Sequence, residues 1–351
     1  MKGIRALARH LDISIGTVSK ALNGRFDINV ETRKRVLEAA AELGYVANQS
    51  GRALRQGSTR TVGFMIESNQ AAPTDSDNFF MAVFDGVQTV FRRHHMDLIV
   101  LPCASDEDPG EYLARIVARG LVDAVIVSAT RRVDPRIPFL EQANVPFVAL
   151  GKSGDASHPW IELDFEGVAK RSVDRLVERG HRHIAVALPV TDLNLGYLFL
   201  KGYKKGLKDN GIPFVADLAV HTESSEPGGY QLGVSLLAMK PRPTAVIMSY
   251  ELPAGGLYRA LNEAGVAPGS GLAVIGFRDS PMTRHLVPRI TSFTTSLRDL
   301  GEALGETLLS RMPGFQDAYP DVQIHRVWPM ELVPGESDPP RSKRLRVATT
   351  K

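Results

Sequence analysis

Residues 13–24 read ISIGTVSKALNG, a stretch that places Ser14 directly ahead of a helical segment carrying Thr17, Ser19, Lys20 and Asn23. A serine at that point is a helix N-cap, so residues 15–23 are predicted as a helix that follows an earlier one after a tight turn at Leu11–Ile13. Upstream, Ile4, Leu7, Ala8 and Leu11 recur at helical spacing. Downstream, Val36, Leu37, Ala40 and Leu43 line one face of a third run, 31–43, which Gly44 closes. Three short helices in close succession make a small bundle, and the first two have helix-turn-helix spacing. In such a unit the N-terminal end of the second helix enters the major groove, where Ile15, Gly16 and Lys20 approach base edges while Thr17, Ser19 and Asn23 reach phosphates. Lys20 suits guanine acceptors and Ile15 a thymine methyl. Read from these twelve residues alone, an ordinary helical hairpin with a polar exposed face stays open as the alternative.

The whole chain of 351 residues exceeds the usual single-domain size, so two or three domains with a sizeable core are expected. Its one cysteine, Cys103, lies in an apolar run and fits a reducing compartment as an inert buried thiol. No uninterrupted apolar stretch is long enough to span a bilayer, and the charges of MKGIRALARHLD replace the apolar region a signal peptide needs; a soluble, cytoplasmic protein is expected. Net charge is only +3, yet Met1 to Arg60 hold 11 Lys/Arg against 5 Asp/Glu, leaving 31 against 34 elsewhere. Basic charge is therefore concentrated at the N-terminus, where it favours a polyanion through counterion release or else forms a solvated face.

From Thr61 the pattern changes to short apolar runs, TVGFMI, DLIVLP, DAVIVS, PFVAL, HIAVAL, TAVIMS and LAVIGF, separated by amphipathic segments such as MAVFDGVQTVFRRH and EGVAKRSVDRLVERG. Near-continuous apolarity fits parallel strands covered on both faces, with the intervening segments as crossover helices. The fold class is α/β with doubly wound parallel sheets behind an all-α head. The turn-rich GKSGDASHPWIELD after the fourth run divides the set near residue 160 into two lobes with a cleft between them. Neither G-x-G-x-x-G nor a Walker A loop follows the first run, so no nucleotide cofactor is expected, and no metal-ligand spacing is present.

Taken together these stretches resemble the LacI-type transcriptional regulators over nearly the whole length. The family's V-S-x-x-T-V-S-R-x-L-N-G recognition segment corresponds to Ile13–Gly24, and its T-R and L-G-Y stretch is met by Thr32, Arg33, Val36, Ala39, Leu43, Gly44 and Tyr45. NQSGRALRQG, residues 48–57, resembles the family linker, which folds into a hinge helix when two copies meet at an operator. The resemblance assigns Leu54 to a minor-groove wedge, beside Ala53, with Arg52 and Arg55 placed on nearby phosphates. A ten-residue helix is marginal alone, so DNA and a partner helix must offset its ordering entropy; a flexible tether is the other reading. Two departures are Ala47, where the family usually has proline, and Gly3, where it has a threonine cap.

The resemblance also implies a two-lobed, periplasmic-binding-protein-like core closing on a small effector, matched by Phe79 and Phe80 before the first long helix, by EGVAKRSVDRLVERGHRHIA and by VIGFRDSP. The expected division is 1–46 for the DNA-binding head, 47–60 for the hinge, 61–332 for the core and 333–351 for a disordered tail. Lobe one takes about 61–160 and 291–320, and lobe two about 161–290 and 321–332. The cleft departs from the family. Phe199 stands where sugar-binding members carry the arginine of R-x-x-G, Arg278 and Asp279 replace the aspartate pair of G-F-D-D, and Tyr250 and Glu251 replace Asn-Asp. Arg278 favours an anionic group or pairs with Glu251, while Phe199, Tyr250 and Trp160 offer stacking faces; the alternative makes Phe199 core and Arg278 part of a structural ion pair. The expected function is therefore a repressor of a carbohydrate-related operon, a homodimer on pseudo-palindromic operator DNA, controlled by a sugar-like or acidic sugar-derived effector. A ligand-independent architectural DNA binder competes with it. A transport protein would have no use for residues 1–60, and an enzyme lacks a catalytic constellation, since no G-x-S-x-G elbow occurs.

Overall fold

A computed structural model describes residues 3–22, 27–45, 58–67 and 76–341. It contains two compact units, one up to Thr59 and one from Arg60 onward.

The first unit is a helical head. Helix α1 (Ile4–Leu11) begins at Gly3, which offers no side-chain cap, and ends at Asp12 in the left-handed conformation, φ 51°. That turn leads into α2 (Ile15–Leu22), which is followed by α3 (Val30–Glu42), capped by the Asn29 side chain on Glu31 N–H. Gly44, at φ 58°, follows the last turn. Leu7, Ala8, Val18, Ala21, Val36, Ala39 and Ala40 are buried together where the three apolar faces meet.

The second unit holds two six-stranded sheets. In chain order its elements are β1 (Thr61–Glu67), α4 (Ser76–Arg93), β2 (Asp97–Cys103), α5 (Pro109–Ala118), β3 (Ala124–Val127), α6 (Arg136–Gln142), β4 (Phe147–Leu150) and β5 (Trp160–Leu163). Next come α7 (Phe165–Glu178), β6 (Ile184–Pro189), α8 (Asn194–Asp209), β7 (Ala219–Thr222), α9 (Glu226–Ala238), β8 (Ala245–Met248), α10 (Pro253–Glu263), β9 (Ala273–Arg278) and α11 (Pro281–His285). The chain finishes with β10 (Thr291–Thr294), α12 (Leu297–Leu309), β11 (His325–Trp328) and β12 (Glu331–Val333). Lobe one carries the order β11-β5-β4-β3-β1-β2, and lobe two β12-β10-β9-β8-β6-β7. Pairing is parallel throughout except between β10 and β12. All seven apolar runs read from the sequence are strands, and the central ones, such as AVIV of β3, are buried at every position, as expected of strands covered by helices on both faces.

Several boundaries differ from the sequence reading. Phe79 and Phe80 lie inside α4, which starts at Ser76, not before it. Lobe one gains β5, so the first crossing follows Leu163, where Asp164 caps α7 by accepting from Gly167 N–H at 2.9 Å. The ITSFTT strand belongs to lobe two, pairing with β9 and β12; Ile290 and Phe293 are buried in the core, and Thr291 N–H donates to Ser337 Oγ of the C-terminal segment at 2.9 Å. Only α12 returns to lobe one, on α4, with Gly86 and Gly301 at the crossing; a Cβ on either would come within about 2.1 Å of a facing carbonyl oxygen. β11 then pairs with β5 in lobe one, and β12 recrosses to lobe two. The expected disordered tail starts too early: Ser337 and Asp338 are buried, Ser337 carbonyl accepting from Val274 N–H and Asp338 receiving Arg175, Arg179 and Thr291.

Candidate functional site

In the head, Ser14 caps α2: its Oγ accepts from Thr17 N–H at 3.0 Å and lies 2.9 Å from Thr17 Oγ1. The cap starts the helix at Ile15, leaving Ile15 44% exposed while Val18 and Ala21 turn inward. Gly16 is exposed and open, the nearest atom to a built Cβ being Ser14 Oγ at 3.5 Å. Lys20 is exposed and pairs with Asp27 at 2.5 Å. The first turn of α2 thus offers an apolar side chain, bare backbone and, one turn on, a cation. Asn23, Arg52, Ala53, Leu54 and Arg55 lie outside the described residues.

In the core, ligands of open parallel sheets sit beyond the carboxyl ends of the strands. Here those ends face one another across the two lobes. Lobe one presents Glu67 at the end of β1, the segment after β3, and the start of α4. Lobe two presents the segment after β6, Tyr250 and Glu251 after β8, and Arg278 at the end of β9. Arg278 and Glu251, 9% and 14% exposed, form a close ion pair, and the Arg278 guanidinium lies 5.4 Å from the ring centre of Phe79 on lobe one. Tyr250 is mostly buried beside them, and burial pushes its phenol up, Glu251 adding to the rise and the Thr191 hydroxyl opposing it.

Across the cleft, Arg131 donates two parallel bonds to Glu67, at 3.0 and 2.8 Å. Arg136, with no exposed surface, pairs with Asp134 at 2.6 Å and with Glu67 at 3.1 Å, and donates to the Ser128 and Ala129 carbonyls. Burial acts to raise the Asp134 carboxyl, but its bonds with Arg136 and with the Arg131 and Arg136 amides outweigh that and hold it below the usual range. Glu162, buried at the start of the interlobe connection, pairs with Lys152 at 3.2 Å and also receives the Asn194 side chain of lobe two; burial pushes it up.

The predicted effector residues therefore separate. Phe79, Tyr250, Glu251 and Arg278 come together. Phe199 does not: it is fully buried, edge-on to Phe277 at 6.1 Å, because the α8 face carrying it also carries Gly202, whose Cβ would lie 2.0 Å from Glu166 carbonyl oxygen. Trp160 starts β5 at the sheet's far end, its indole N–H on the Ala156 carbonyl and its ring between Lys152 and His325, so it packs lobe one. Phe80 stacks on Phe84 and meets Phe64 edge-on in the lobe-one core. Asp279 is held by Arg284 and Arg289 within lobe two. Glu67, Arg131, Asp134 and Arg136 were missed from sequence, although their places after TVGFMI and AVIVS, at strand ends of a parallel sheet, were a usable signal. Among the described residues no cluster of metal-ligating side chains occurs and no helix is long and apolar enough to cross a membrane.

Residues 4–48 match the model of bacterial regulatory proteins of the lacI family, and residues 173–337 that of a periplasmic binding protein-like domain. The regulator AglR of Rhizobium meliloti (strain 1021) is 31% identical over 347 residues, covering 97% of this chain and 95% of that protein. The chain belongs to the LacI family. This LacI-family protein is accordingly a DNA-binding transcriptional regulator and not an enzyme, with the helical head as its DNA-binding part. Among solved structures, a complex of the transcriptional regulator CelR with cellobiose is 25% identical, covers 96% of this chain and all of that one, and superposes with a TM-score of 0.71. The lac repressor dimer bound to operator and the anti-inducer ONPF, 22% identical over 95% of this chain and 98% of that one, shares the fold with a TM-score of 0.81.

Proposed function

We propose that this LacI-family regulator is a homodimeric repressor of a carbohydrate-related operon, and that a neutral saccharide in the interlobe cleft relieves repression. The observation that carries the ligand class is the pairing of charge. Arg278 is taken by Glu251, Arg131 and Arg136 by Glu67 and Asp134, and Lys152 by Glu162. An acidic ligand would have to displace one of these carboxylates and leave it desolvated, whereas paired carboxylates still accept from hydroxyls and paired guanidinium groups still donate to them. Of the two effectors the sequence left open, sugar-like or acidic and sugar-derived, this favours the uncharged one. The CelR complex with cellobiose, a neutral disaccharide, supports the same choice.

On DNA, Ser14, Thr17, Ser19 and Asn23 position α2, Ile15 meets a thymine methyl, Gly16 lets the backbone approach a base edge, and Lys20 leaves Asp27 for a guanine. One such head is a weak reader, so two heads on a two-fold site are required, joined by hinge segments that carry Leu54 into the minor groove. Leu54→Ala should therefore weaken operator binding far more than binding to random DNA in gel-shift competition at fixed salt; equal losses would remove the wedge from the scheme.

The deciding experiment is a thermal-shift screen of the full chain against neutral mono- and disaccharides, sugar phosphates and sugar acids. A ligand at about 100-fold its Kd stabilises the folded state by about 2.7 kcal/mol. A neutral hit that also releases operator DNA supports the reading. Hits confined to acids or phosphates would overturn the charge-pairing argument, and a screen without hits would favour ligand-independent DNA binding.

A further inference from the structure

Two segments meet across the cleft with no part in the charge pairs of lobe two. The Asn194 N–H, the first of α8, has no intrahelical acceptor, as at every helix start, and Leu193 before it supplies no side-chain cap. Its acceptor is the Thr130 carbonyl of the other lobe, at 2.9 Å. The next residues continue the join: Arg131 and Leu193 form an antiparallel bridge, and the Arg132 guanidinium lies 5.1 Å from the ring centre of Tyr197. Each side is braced within its own lobe. Tyr197 donates its hydroxyl to Asp192 at 2.6 Å, while on lobe one Asp134 accepts from Arg131 N–H at 3.0 Å and Arg136 holds the carbonyl of Ala129, which sits at φ 52° in the left-handed region. A non-glycine residue there is strained and persists only where its surroundings over-determine it.

We propose that residues 130–132 and 193–197 form an interlobe clasp that sets the lobe angle, making Arg132 and Tyr197 positioning residues for operator binding. The clasp consists of a few polar contacts rather than an apolar seam: Thr130 is buried, Arg131, Leu193 and Asn194 are partly buried, Arg132 is exposed and Tyr197 is 44% exposed. It is therefore strong enough to bias the angle and weak enough for a ligand to override. Losing it should change operator affinity by a factor in the range of about 5 to 150, as for other coupled sites. The proposal depends on family membership and not on the saccharide reading, so a failed ligand screen leaves it standing.

A rescue experiment tests it. Residues paired in an antiparallel bridge have Cα atoms about 4.5–5.5 Å apart, within disulfide range. Arg131→Cys with Leu193→Cys should therefore cross-link the lobes on oxidation, and the one native cysteine, Cys103, is buried and out of the way. Because Arg131→Cys also removes the two bonds to Glu67, this double-cysteine chain, without effector, is the parent to which every affinity is referred. Arg132→Ala with Tyr197→Ala is then added to that background, and operator affinity is measured by gel shift with the protein reduced and oxidised. The expected result is a shift of at least about fivefold when reduced that returns to the parent value on oxidation. Tyr197→Phe, which keeps the ring and removes only the Asp192 bond, should give a smaller shift in the same direction. No shift in the reduced protein, a shift that survives oxidation, or failure of the cysteines to cross-link would each overturn the clasp.

Discussion

Arg278 and Glu251 show how one altered pair changes what a cleft can hold. Removing one partner of a nearly buried ion pair strands the other, so Arg278→Met should destabilise the core by about 3–5 kcal/mol in urea denaturation, while Arg278→Met with Glu251→Gln recovers most of the loss. A double variant as unstable as the single one would show that the charges themselves are not the cause. Phe199 teaches the opposite lesson. Its place in a family motif suggested a face towards ligand, but a phenyl ring gains nothing from water that an arginine would, and the same helical face already leads inward through Gly202 and Tyr203 to the core. Motif position revealed where the side chain starts, and its chemistry decided where it ends. His158 and His181 are both held neutral by burial, with their pKa values lowered. A depressed pKa of this kind contributes stability above the unfolded value, about 6.5, that is lost as pH falls through the folded one. The melting temperature should thus drop between pH 7.5 and 5.5, and His181→Gln should flatten that slope; an unchanged slope would clear His181 of a role.

At the scale of elements, the head is the least secured part. Among the described residues its core is seven small or medium side chains, and α1 begins without a side-chain cap at Gly3, whereas α2 and α3 have Ser14 and Asn29. Ser14→Ala should cost about 1 kcal/mol and Gly3→Ser return a few tenths, both read from thermal unfolding of the head's circular-dichroism signal in the full chain. Equal behaviour of the two sites would mean that capping does not limit this bundle. These helices were legible because their apolar spacing and caps are local properties. The same holds for six of the seven apolar strands, whose near-continuous burial leaves an unbroken run in the sequence; the seventh, the edge strand β2, is exposed at three of seven positions yet keeps an apolar sequence. Edge strands β7, β11 and β12 were not legible: AVHT, HRVW and ELV are short, and β11 is exposed at three of four positions, so burial imposes no pattern on them.

At the scale of the whole molecule, the two lobes of the core are woven together rather than strung one after the other. The chain crosses between lobes after β5, before α12 and between β11 and β12; the sequence reading placed three crossings near 160, 290 and 320, and the short polar connections carry no apolar signature to fix their exact positions. Composition and motifs established the class, the head and the existence of two lobes; the allocation of residues beyond 290 required the structure. A chain stopped after residue 320 keeps every helix of the core but leaves the outer edges of β5 and β10 unpaired. It should accumulate in the pellet and lose cooperative unfolding by urea, and a soluble, cooperatively unfolding product would show that β11 and β12 are dispensable. The weave also sets a timetable at the ribosome. β5 ends at Leu163, yet its neighbour β11 begins at His325, so at about 5–20 residues per second the nascent first lobe waits about 8–30 s with an open flank. During that interval its safety rests on whatever shields nascent chains, and production of this regulator should respond more sharply to translation speed and temperature than its finished stability would suggest.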